Sequence, residues 1–378
     1  MKITILKDIK GVEARVAATP ETVKGYVEGG HDVTIVKGAG AAANFSDALY
    51  TEAGASLAST NAAAVKTADL VMSISGGDAK LVAAMKKGAG ITGVLYPTDN
   101  PKYAKACAKA GVTAYALDYI PRISRAQSMD VLSSQSNLAG YRSVVEAGSV
   151  YGRAFPMMMT AAGTIAPAKV FIMGVGVAGL QAIATARRLG AVTTATDVRP
   201  ATKEQVASLG AKFIAVENEE FKAAETAGGY AKQMSAEYQA LQAELTAKHI
   251  AKQDIVITTA LIPGRAAPVL VTKDMLDKMK PGSVLVDLAV ERGGNVAGAK
   301  AGEIVTTKNG VHIIGHLNWP SRMAADSSSL FARNLKNFLP LLTAEDGSYA
   351  PDWDDEIITG CALTRDGAVV HERLKGDA

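Results

Sequence analysis

Three closely spaced glycines follow a short apolar run near the middle of the chain. The segment Gly174-Val175-Gly176-Val177-Ala178-Gly179 stands between the apolar run 170–173 and the helix-compatible run 180–189. In a strand, loop and helix of this kind, the first glycine permits a tight turn and the second lets the backbone approach a diphosphate. The third lets helix and strand pack closely, and the helix N-terminus adds unpaired N–H groups. The spacing therefore predicts a dinucleotide site formed by Gly174, Gly176, Val177, Ala178 and Gly179.

An acidic residue lies where the next strand of such a unit would end. Asp197 comes 18 residues after Gly179. A carboxylate there accepts hydrogen bonds from the adenosine ribose hydroxyls and repels a 2′-phosphate, which favours NAD over NADP. Arg199, two residues further on, would partly offset that discrimination.

A dense polar cluster forms a second candidate site. The segment 121–130 carries Arg122, Arg125, Gln127 and Asp130 within ten residues, directly after an apolar run. The ends of parallel strands are where α/β proteins bind ligands. The same letters also fit a polar helix cap at Asp130 or Ser128 with exposed arginines. The composition of the segment leaves both interpretations open.

A long insertion is a candidate lid. The stretch between Val216 and Asp254 exceeds an ordinary connection, and it contains Thr226-Ala227-Gly228-Gly229-Tyr230 before a helix expected at 232–249. Paired glycines fit the hinges of a flap that carries Tyr230 over a bound nucleotide. A surface loop ahead of an amphipathic helix fits equally well.

The elements that must position these residues alternate between strand-like and helical runs. This alternation predicts an α/β fold with two doubly wound, mostly parallel Rossmann-like sheets. The strand-like runs are 3–6, 33–36, 70–74, 91–96 and 112–117, then 170–173, 191–196, 212–216, 254–259, 283–288 and 312–315.

Two long helices are expected to join the domains, at 129–153 and 321–342. The tail would then return to the first domain, with strands at 357–363 and 368–371 around the turn Asp366-Gly367. We therefore expect a discontinuous first domain at 1–132 plus 322–378. The nucleotide-binding domain is expected at 133–321, with its mobile loop near 217–250.

Composition excludes several classes of protein. A formal charge of +3 without a basic block argues against nucleic-acid binding. Two cysteines in 378 residues, without metal-ligand spacing, indicate a reducing compartment and no metal site. Neither a secretory leader nor an uninterrupted apolar span of about 20 residues is expected. These features predict a cytoplasmic protein without a membrane span of its own.

Groups for proton transfer are scarce. The five histidines include only His316 at the end of a strand in the second series, where a structural, hydrogen-bonded histidine is the preferred interpretation. Oxidation of a hydroxy or amino acid needs a proton acceptor beside the reacting carbon.

Several segments closely resemble the NAD(H)-binding component of proton-translocating nicotinamide nucleotide transhydrogenases. They are PRISRAQSMDVLSSQSNLAGY at 121–141, GVGVAGLQAIAT at 174–185, TAGGYAK at 226–232, TTALIPG at 258–264 and GSVLVDLAVE at 282–291. The resemblance covers nearly the whole chain. It implies a nicotinamide-gripping loop with Arg122, Gln127, Asp130 and Ser133 as its functional residues. It also implies a mobile loop with Gly229 and Tyr230, a ribose-binding strand end at Asp197, Val198 and Arg199, and an adenine-side segment at Ala260 and Leu261.

Alanine dehydrogenase, a more distant resemblance, is the alternative. Its substrate site uses an arginine that Arg15 matches, together with a lysine and a histidine. Here the strand end offers Ser73 and Ser75 in place of the lysine, and Leu95-Tyr96-Pro97 has no histidine. This departure also weakens any catalytic assignment for Arg15.

The transhydrogenase resemblance implies direct hydride transfer between two nicotinamide rings, which needs positioning and no proton acceptor. One glycine loop holds one nucleotide, so NADP(H) would lie on a separate partner component and protons would cross a membrane-spanning component. The implied assembly contains a homodimer of this chain, peripheral on the cytoplasmic face of the inner or plasma membrane, with 157–159 as one candidate contact. Three function classes stay open: a transhydrogenase component, an alanine-dehydrogenase-like oxidoreductase, and a nucleotide-binding regulatory module.

Overall fold

The computed structural model describes residues 1–8, 11–224, 234–262 and 264–375. The chain divides into two compact units. Unit 1 comprises Met1–Gln135 and Pro320–Ala378, and unit 2 comprises Ser136–Trp319.

The described residues form seventeen strands, numbered here in chain order. They are β1 Lys2–Ile5, β2 Asp32–Val36, β3 Ser56–Ala58, β4 Leu70–Met72, β5 Gly90–Gly93, β6 Thr113–Ala116, β7 Met158–Thr160, β8 Gly163–Ile165, β9 Lys169–Met173, β10 Val192–Thr196, β11 Lys212–Phe213, β12 Ile255–Thr258, β13 Val284–Asp287, β14 Ile304–Thr306, β15 His312–Ile314, β16 Thr364–Arg365 and β17 Ala368–Val369.

Fourteen α-helices connect the strands of the described chain. They are α1 Pro20–Glu28, α2 Asp47–Glu52, α3 Asn61–Ala64, α4 Ala79–Ala83, α5 Pro101–Ala110, α6 Val131–Val150, α7 Val177–Arg188, α8 Thr202–Ser208, α9 Glu219–Lys222, α10 Ala236–Ile250, α11 Lys273–Asp277, α12 Ala324–Phe338, α13 Glu356–Cys361 and α14 Glu372–Lys375.

Unit 1 is built on a parallel sheet of six strands in the order β3-β2-β1-β4-β5-β6. Its central strands are apolar on both faces, as in β4, whose three residues are buried. Sheets covered on both faces by helices require such continuous apolar strands. The strand order reverses between β1 and β4, so the loops after these two strands form the ligand-binding edge that α/β sheets commonly use.

Unit 2 has a seven-stranded sheet in the order β11-β10-β9-β12-β13-β15-β14, parallel except for the antiparallel edge strand β14. The order reverses between β9 and β12. The loop after β9 is the glycine segment, so the sequence pattern and the topology indicate the same edge of the sheet. The two sheets confirm the predicted α/β, doubly wound fold class.

The eleven strand-like runs predicted for the two sheets all contain strands, whereas β3 and β14 were not predicted. The structure corrects one element. The run 357–363 is not a strand, because Asp355 caps a helix there: its side chain accepts from the Ile357 backbone N–H at 2.7 Å. The buried side chains Ile357, Ile358 and Cys361 of α13 then follow helical spacing.

The tail hairpin itself is present, between β16 and β17 around Asp366 and Gly367, both with positive φ. That backbone is the type that Asp-Gly hairpin turns adopt. The expected long helices are α6 and α12, and α12 is flanked by short 3-10 turns. No helix of the described residues is long and apolar enough to cross a membrane.

Candidate functional site

Steric space around the glycine loop of unit 2 explains its three glycines. A Cβ atom on Gly179 would lie 1.9 Å from the Gly174 carbonyl oxygen, and one on Gly174 would lie 2.5 Å from Thr259 Oγ1. Gly174 also has φ of +101°, which disfavours other residues. A Cβ on Gly176 meets nothing within 4 Å. Packing therefore requires glycine at 174 and 179, whereas Gly176 borders open space.

The N-terminus of α7 borders the same space. Its first turn contains Val177 and Ala178, and no side chain caps it at Gly176. Uncapped N–H groups and the helix dipole attract a diphosphate. The open space beside Gly176 is the cradle that a bound dinucleotide requires, so the residues present fit NAD(H) by this criterion.

Helix α6 supports this turn of α7. A Cβ on Gly140 would lie 2.1 Å from the Ala178 carbonyl oxygen, so the two helices are in close backbone contact. Gly140 was not predicted from the sequence. An isolated glycine within a helical pattern was the available signal, because it often marks a close approach.

Asp197 lies at the end of β10 and contacts the glycine loop directly. Its Oδ2 accepts from the Val175 backbone N–H at 2.7 Å, and its Oδ1 accepts from Arg199 Nε at 2.9 Å. Arg199 Nη2 also donates to the Val175 carbonyl at 3.1 Å. The aspartate therefore braces the loop and balances the charge of Arg199. Neighbouring Val198 is exposed, and the ribose-binding role of this strand end stays a prediction.

The segment after β12 is tied to the same loop. Thr259 Oγ1 donates to the Gly174 carbonyl at 3.0 Å. Asn295 grips the next residue on both sides: its Oδ1 accepts from the Ala260 N–H at 3.0 Å, and its Nδ2 donates to the Ala260 carbonyl at 2.9 Å. Ala260 is thereby fixed, while the side chain of Leu261 is 54% exposed.

Asn295 is held in turn by a buried carboxylate. Asp287, at the end of β13, accepts from the backbone N–H groups of Ala289, Asn295 and Val296. Burial raises the pKa of Asp287, and the three backbone donors act in the opposite direction. Sequence reasoning missed this support. The available signals were an acidic residue ending an apolar strand and the Gly293-Gly294 pair before Asn295.

The polar cluster lies in unit 1, where residues 124–129 form a 3-10 turn ahead of α6. Arg122 and Gln127 are exposed. Neither side chain has a hydrogen-bond partner within the residues that the structure describes. Both are accordingly available to a ligand.

Asp130 and Ser133, in contrast, contact each other. Asp130 Oδ1 accepts from the Ser133 backbone N–H at 2.9 Å, and its Oδ2 accepts from Ser133 Oγ at 2.5 Å. Asp130 thus caps α6, which is the geometry of the helix-cap interpretation. Nucleotide contacts of these four residues stay predictions.

The edge of the unit 1 sheet at β1 and β4 contains a second polar network. Asp8 accepts hydrogen bonds from Ser73 Oγ and Ser75 Oγ, each at 2.9 Å, and from the Ile74 N–H at 2.9 Å. Burial raises the pKa of Asp8, and these donors act in the opposite direction. The two serines that stand at the expected lysine position are therefore engaged with a carboxylate.

Arg15 is also engaged within unit 1. Its Nε and Nη2 donate to the two carboxylate oxygens of Glu13 at 2.8 and 2.7 Å, and its Nη1 donates to Gln135 at 2.8 Å. This paired, buried fork has a structural function whatever else Arg15 does.

His316 of unit 2 contacts an acidic side chain, with Nε2 at 3.7 Å from Glu146 Oε2. Glu146 also pairs with Arg142 at 2.7 Å. Gly229 and Tyr230, the predicted flap residues, lie outside the described residues. Within the described ranges, no group of three or more His, Cys, Asp or Glu side chains is placed to hold a metal ion.

The two doubly wound sheets, together with a glycine loop and its acidic strand end, define a Rossmann-type dinucleotide-binding oxidoreductase. Two family models match this chain: "Alanine dehydrogenase/PNT, N-terminal domain" over residues 4–139 and "Alanine dehydrogenase/PNT, C-terminal domain" over residues 143–372. The chain therefore belongs to the alanine dehydrogenase/PNT family.

Individual relatives are similar along their whole length. The chain is 54% identical to the first segment of NAD(P) transhydrogenase subunit alpha of Rhodospirillum rubrum, covering 100% of this chain and 99% of the relative. It is 46% identical to the protein of the same name from Rickettsia prowazekii, covering 98% and 96%. Identity to alanine dehydrogenase of Halomonas elongata is 30%, over 99% and 96%.

Among solved structures, a transhydrogenase from Sinorhizobium meliloti superimposes with a TM-score of 0.89 at 52% identity, covering 98% of this chain and 100% of the other. The similarity to both transhydrogenases and alanine dehydrogenases confirms the resemblance found in the sequence. The transhydrogenase subunits are the more similar of the two groups.

Proposed function

We propose that this chain is the NAD(H)-binding component of a proton-translocating nicotinamide nucleotide transhydrogenase. It positions NADH for direct hydride transfer to NADP⁺ on a separate component. Bound NADH supplies the hydride, and the residues of this chain bind and orient the nucleotide. Support comes first from the full-length similarity to proteins named as NAD(P) transhydrogenase alpha subunits.

The observation that carries the proposal is the network at the β4 end. Alanine oxidation requires a residue that accepts a proton beside the substrate. The segment after β4 offers Ser73 and Ser75, both bonded to Asp8, and the segment after β5 offers Leu95 and Tyr96. Transfer of a hydride between two nicotinamide rings releases no proton at the reacting carbons, so it needs no such residue.

In the proposed mechanism the glycine loop and α7 bind the diphosphate, and Asp197 orients the adenosine ribose. Gln127 and Ser133 fix the carboxamide of the nicotinamide. Asp130 offsets the positive charge that develops on the ring, and Arg122 braces the loop or contacts phosphate and ribose. Catalysis then consists of positioning, which contributes through orientation and excluded water.

The proposed partners follow from what one chain can bind. A single glycine loop holds one nucleotide, so we place NADP(H) on a second component and proton movement in a membrane-spanning component. We place this chain as a homodimer on the cytoplasmic face of that membrane component. The proposal also includes the domain assignment at 1–132 plus 322–378 and 133–321.

The homodimer contact is assigned to the β7–β8 hairpin. All six residues in its two strands are exposed, and the side chains of Met157 and Met159 are 58% and 76% exposed. Exposed apolar side chains clustered on a projecting hairpin are typical of an interface. A second copy of this chain is the occupant that the family resemblance implies.

Steady-state assays separate this proposal from its alternatives. We expect the isolated chain to produce no NADH from L-alanine and NAD⁺, and to oxidise NADH only when an NADP⁺-loaded transhydrogenase component is present. Turnover of alanine by the isolated chain would instead favour the alanine-dehydrogenase function. NADH binding without transfer to any NADP⁺-loaded component would favour a regulatory module.

A further inference from the structure

The loop that carries Gln127 and Asp130 has little support of its own. Its backbone hydrogen bonds are Ile123 N–H to Pro121 O at 2.9 Å, Ala126 N–H to Ile123 O at 3.0 Å and Asp130 N–H to Gln127 O at 3.3 Å. Short 3-10 turns have weaker hydrogen-bond geometry than α-helices. A loop of this kind keeps one conformation only when other elements hold it.

Helix α12 provides that support through two asparagines. Asn334 Nδ2 donates to the Ser128 carbonyl at 2.8 Å, and Asn337 Nδ2 donates to the same oxygen at 3.1 Å. A carbonyl oxygen has two lone pairs, so both acceptor positions of Ser128 are used. Ser128 lies between Gln127 and Asp130, so both asparagines hold the centre of the loop.

Asn334 also fixes the start of α6. Its Oδ1 accepts from Ser134 Oγ at 2.8 Å. The side chain is buried, at 8% exposure. One buried amide therefore joins the 3-10 turn to the first turn of the helix that Asp130 caps. Removing a buried partner leaves unsatisfied polar groups, which makes such a contact costly to lose.

A second anchor acts on the same turn. Arg125 pairs with both carboxylate oxygens of Asp355, at 2.5 and 3.0 Å. Arg125 is half exposed, and water weakens ion pairs at exposed positions. The buried asparagine is accordingly the stronger of the two restraints.

We infer that Asn334, assisted by Asn337, is a positioning residue for hydride transfer. It fixes the Ser128 carbonyl and thereby the backbone from which Gln127 and Asp130 extend. The inference rests on the proposed function. Asn334 itself is not assigned a contact with the nucleotide or the reacting atoms, and its effect is transmitted through the loop.

The test uses three variants of the full chain on one helix. Asn334→Asp keeps the size of the side chain and replaces its donor to Ser128 by an acceptor. Asn337→Ala removes the second donor only. Arg333→Ala is the matched control, because Arg333 is exposed and pairs with Glu21 at 3.3 Å rather than with the loop.

Loop order is measured without any nucleotide, by amide hydrogen exchange over 123–130 and by trypsin cleavage after Arg122 and Arg125. We expect Asn334→Asp to exchange and be cleaved at least about tenfold faster than wild type, which corresponds to a local opening equilibrium shifted by one broken hydrogen bond. Asn337→Ala is expected to be intermediate, and Arg333→Ala unchanged.

Function is measured as two separate quantities, the Kd for NADH and the single-turnover rate of hydride transfer to a partner loaded with NADP⁺. We expect Asn334→Asp to lose on the order of tenfold in rate, because misplacement of reacting groups affects transfer more than binding. Its Kd is expected to stay within about twofold of wild type.

The outcomes separate a positioning role from a structural one. Wild-type exchange in Asn334→Asp, or faster exchange with an unchanged transfer rate, overturns the inference. An equal loss in Kd and rate indicates general disruption of the structure and also overturns it. If Asn334→Asp does not fold, unchanged exchange over 123–130 in Asn337→Ala contradicts the inference. Wild-type protein that transfers no hydride contradicts the proposed function, while exchange still reports on the anchor.

Discussion

At the scale of single residues, Asp130 has two tasks that substitution can separate. It caps α6 through Ser133, and it is proposed to balance charge on the nicotinamide ring. Asp130→Asn keeps an oxygen that can accept from the Ser133 N–H but removes the negative charge. We expect this variant to retain its stability and to lose on the order of tenfold or more in hydride-transfer rate, with little change in NADH affinity.

Asp130→Ala is the matched variant, because it removes both the cap and the charge. It should lose about 1 kcal/mol of unfolding free energy in addition to the rate. Urea unfolding, NADH titration and single-turnover kinetics measure the three quantities. Equal losses of affinity and rate in Asp130→Asn would contradict the charge-balancing role.

The glycine loop gives a second prediction at this scale. A methyl group on Gly176 enters open space, so Gly176→Ala should fold with normal stability and bind NADH at least about tenfold more weakly. A methyl group on Gly179 meets the Gly174 carbonyl at 1.9 Å. Gly179→Ala should therefore lose about 1–3 kcal/mol of unfolding free energy, as overpacked sites do.

Thermal unfolding and NADH fluorescence titration of the two variants check this contrast. Normal NADH affinity in Gly176→Ala would show that the diphosphate does not approach this position. The wild-type protein and an exposed substitution distant from the loop, Arg333→Ala, serve as references.

Candidate site residues differ in how far the sequence could predict them. The glycines were predictable because their spacing follows from local backbone geometry. Asn334 was not, because it lies about 200 residues from the loop that it holds, and an asparagine on an amphipathic helix has no distinctive sequence pattern. Asn295 and Asp287 were missed for the same reason: their roles depend on contacts that only the folded sheet creates.

At the scale of elements, burial of His249 on α10 predicts a pH dependence of stability. Its Nε2 lies 2.8 Å from Thr194 Oγ1, and its ring packs edge-on against Phe171 at 4.7 Å. Burial lowers the pKa of His249, and Lys252 and Lys212 lower it further. The unfolded chain therefore binds a proton more readily, so stability decreases as pH falls below about 6.5.

His249→Gln removes the titration while keeping a polar side chain. We expect wild type to lose more unfolding free energy than this variant between pH 7 and pH 5, so that the difference between the two proteins shrinks on acidification. Urea unfolding at several pH values measures the two slopes. Parallel slopes would mean that His249 is protonated equally well in the folded and unfolded states.

Elements of the fold were more predictable than their edges. Buried parallel strands are short apolar runs that sequence reveals directly, and the predicted strands of both sheets are present. The run 357–363 misled for a physical reason, because β-branched residues favour strands. A cap at Asp355 and burial on one helical face outweighed that preference. The edge strands β3 and β14 lack such apolar runs, since edges are only partly buried.

At the scale of the whole molecule, the hairpin β7–β8 gives a prediction about assembly. If it forms the homodimer contact, Met159→Lys should shift the mass measured by light scattering from dimer toward monomer. Replacing an exposed methionine costs little in the folding of a single chain, so thermal stability at low protein concentration should stay near wild type. Thr164→Lys, on the neighbouring strand, is a second variant for the same contact. An unchanged dimer in both variants would move the interface to another surface.

The central claim is that a hydride passes directly from NADH on this chain to NADP⁺ on a partner component. The most direct measurement is rapid mixing of this chain, loaded with NADH deuterated at the transferred position of C4, with an NADP⁺-loaded component in ordinary water. We predict that the deuterium is recovered in NADPH, at a rate seen only in the mixture and reduced in Asp130→Asn. NADPH without deuterium, or transfer by either component alone, would contradict the claim.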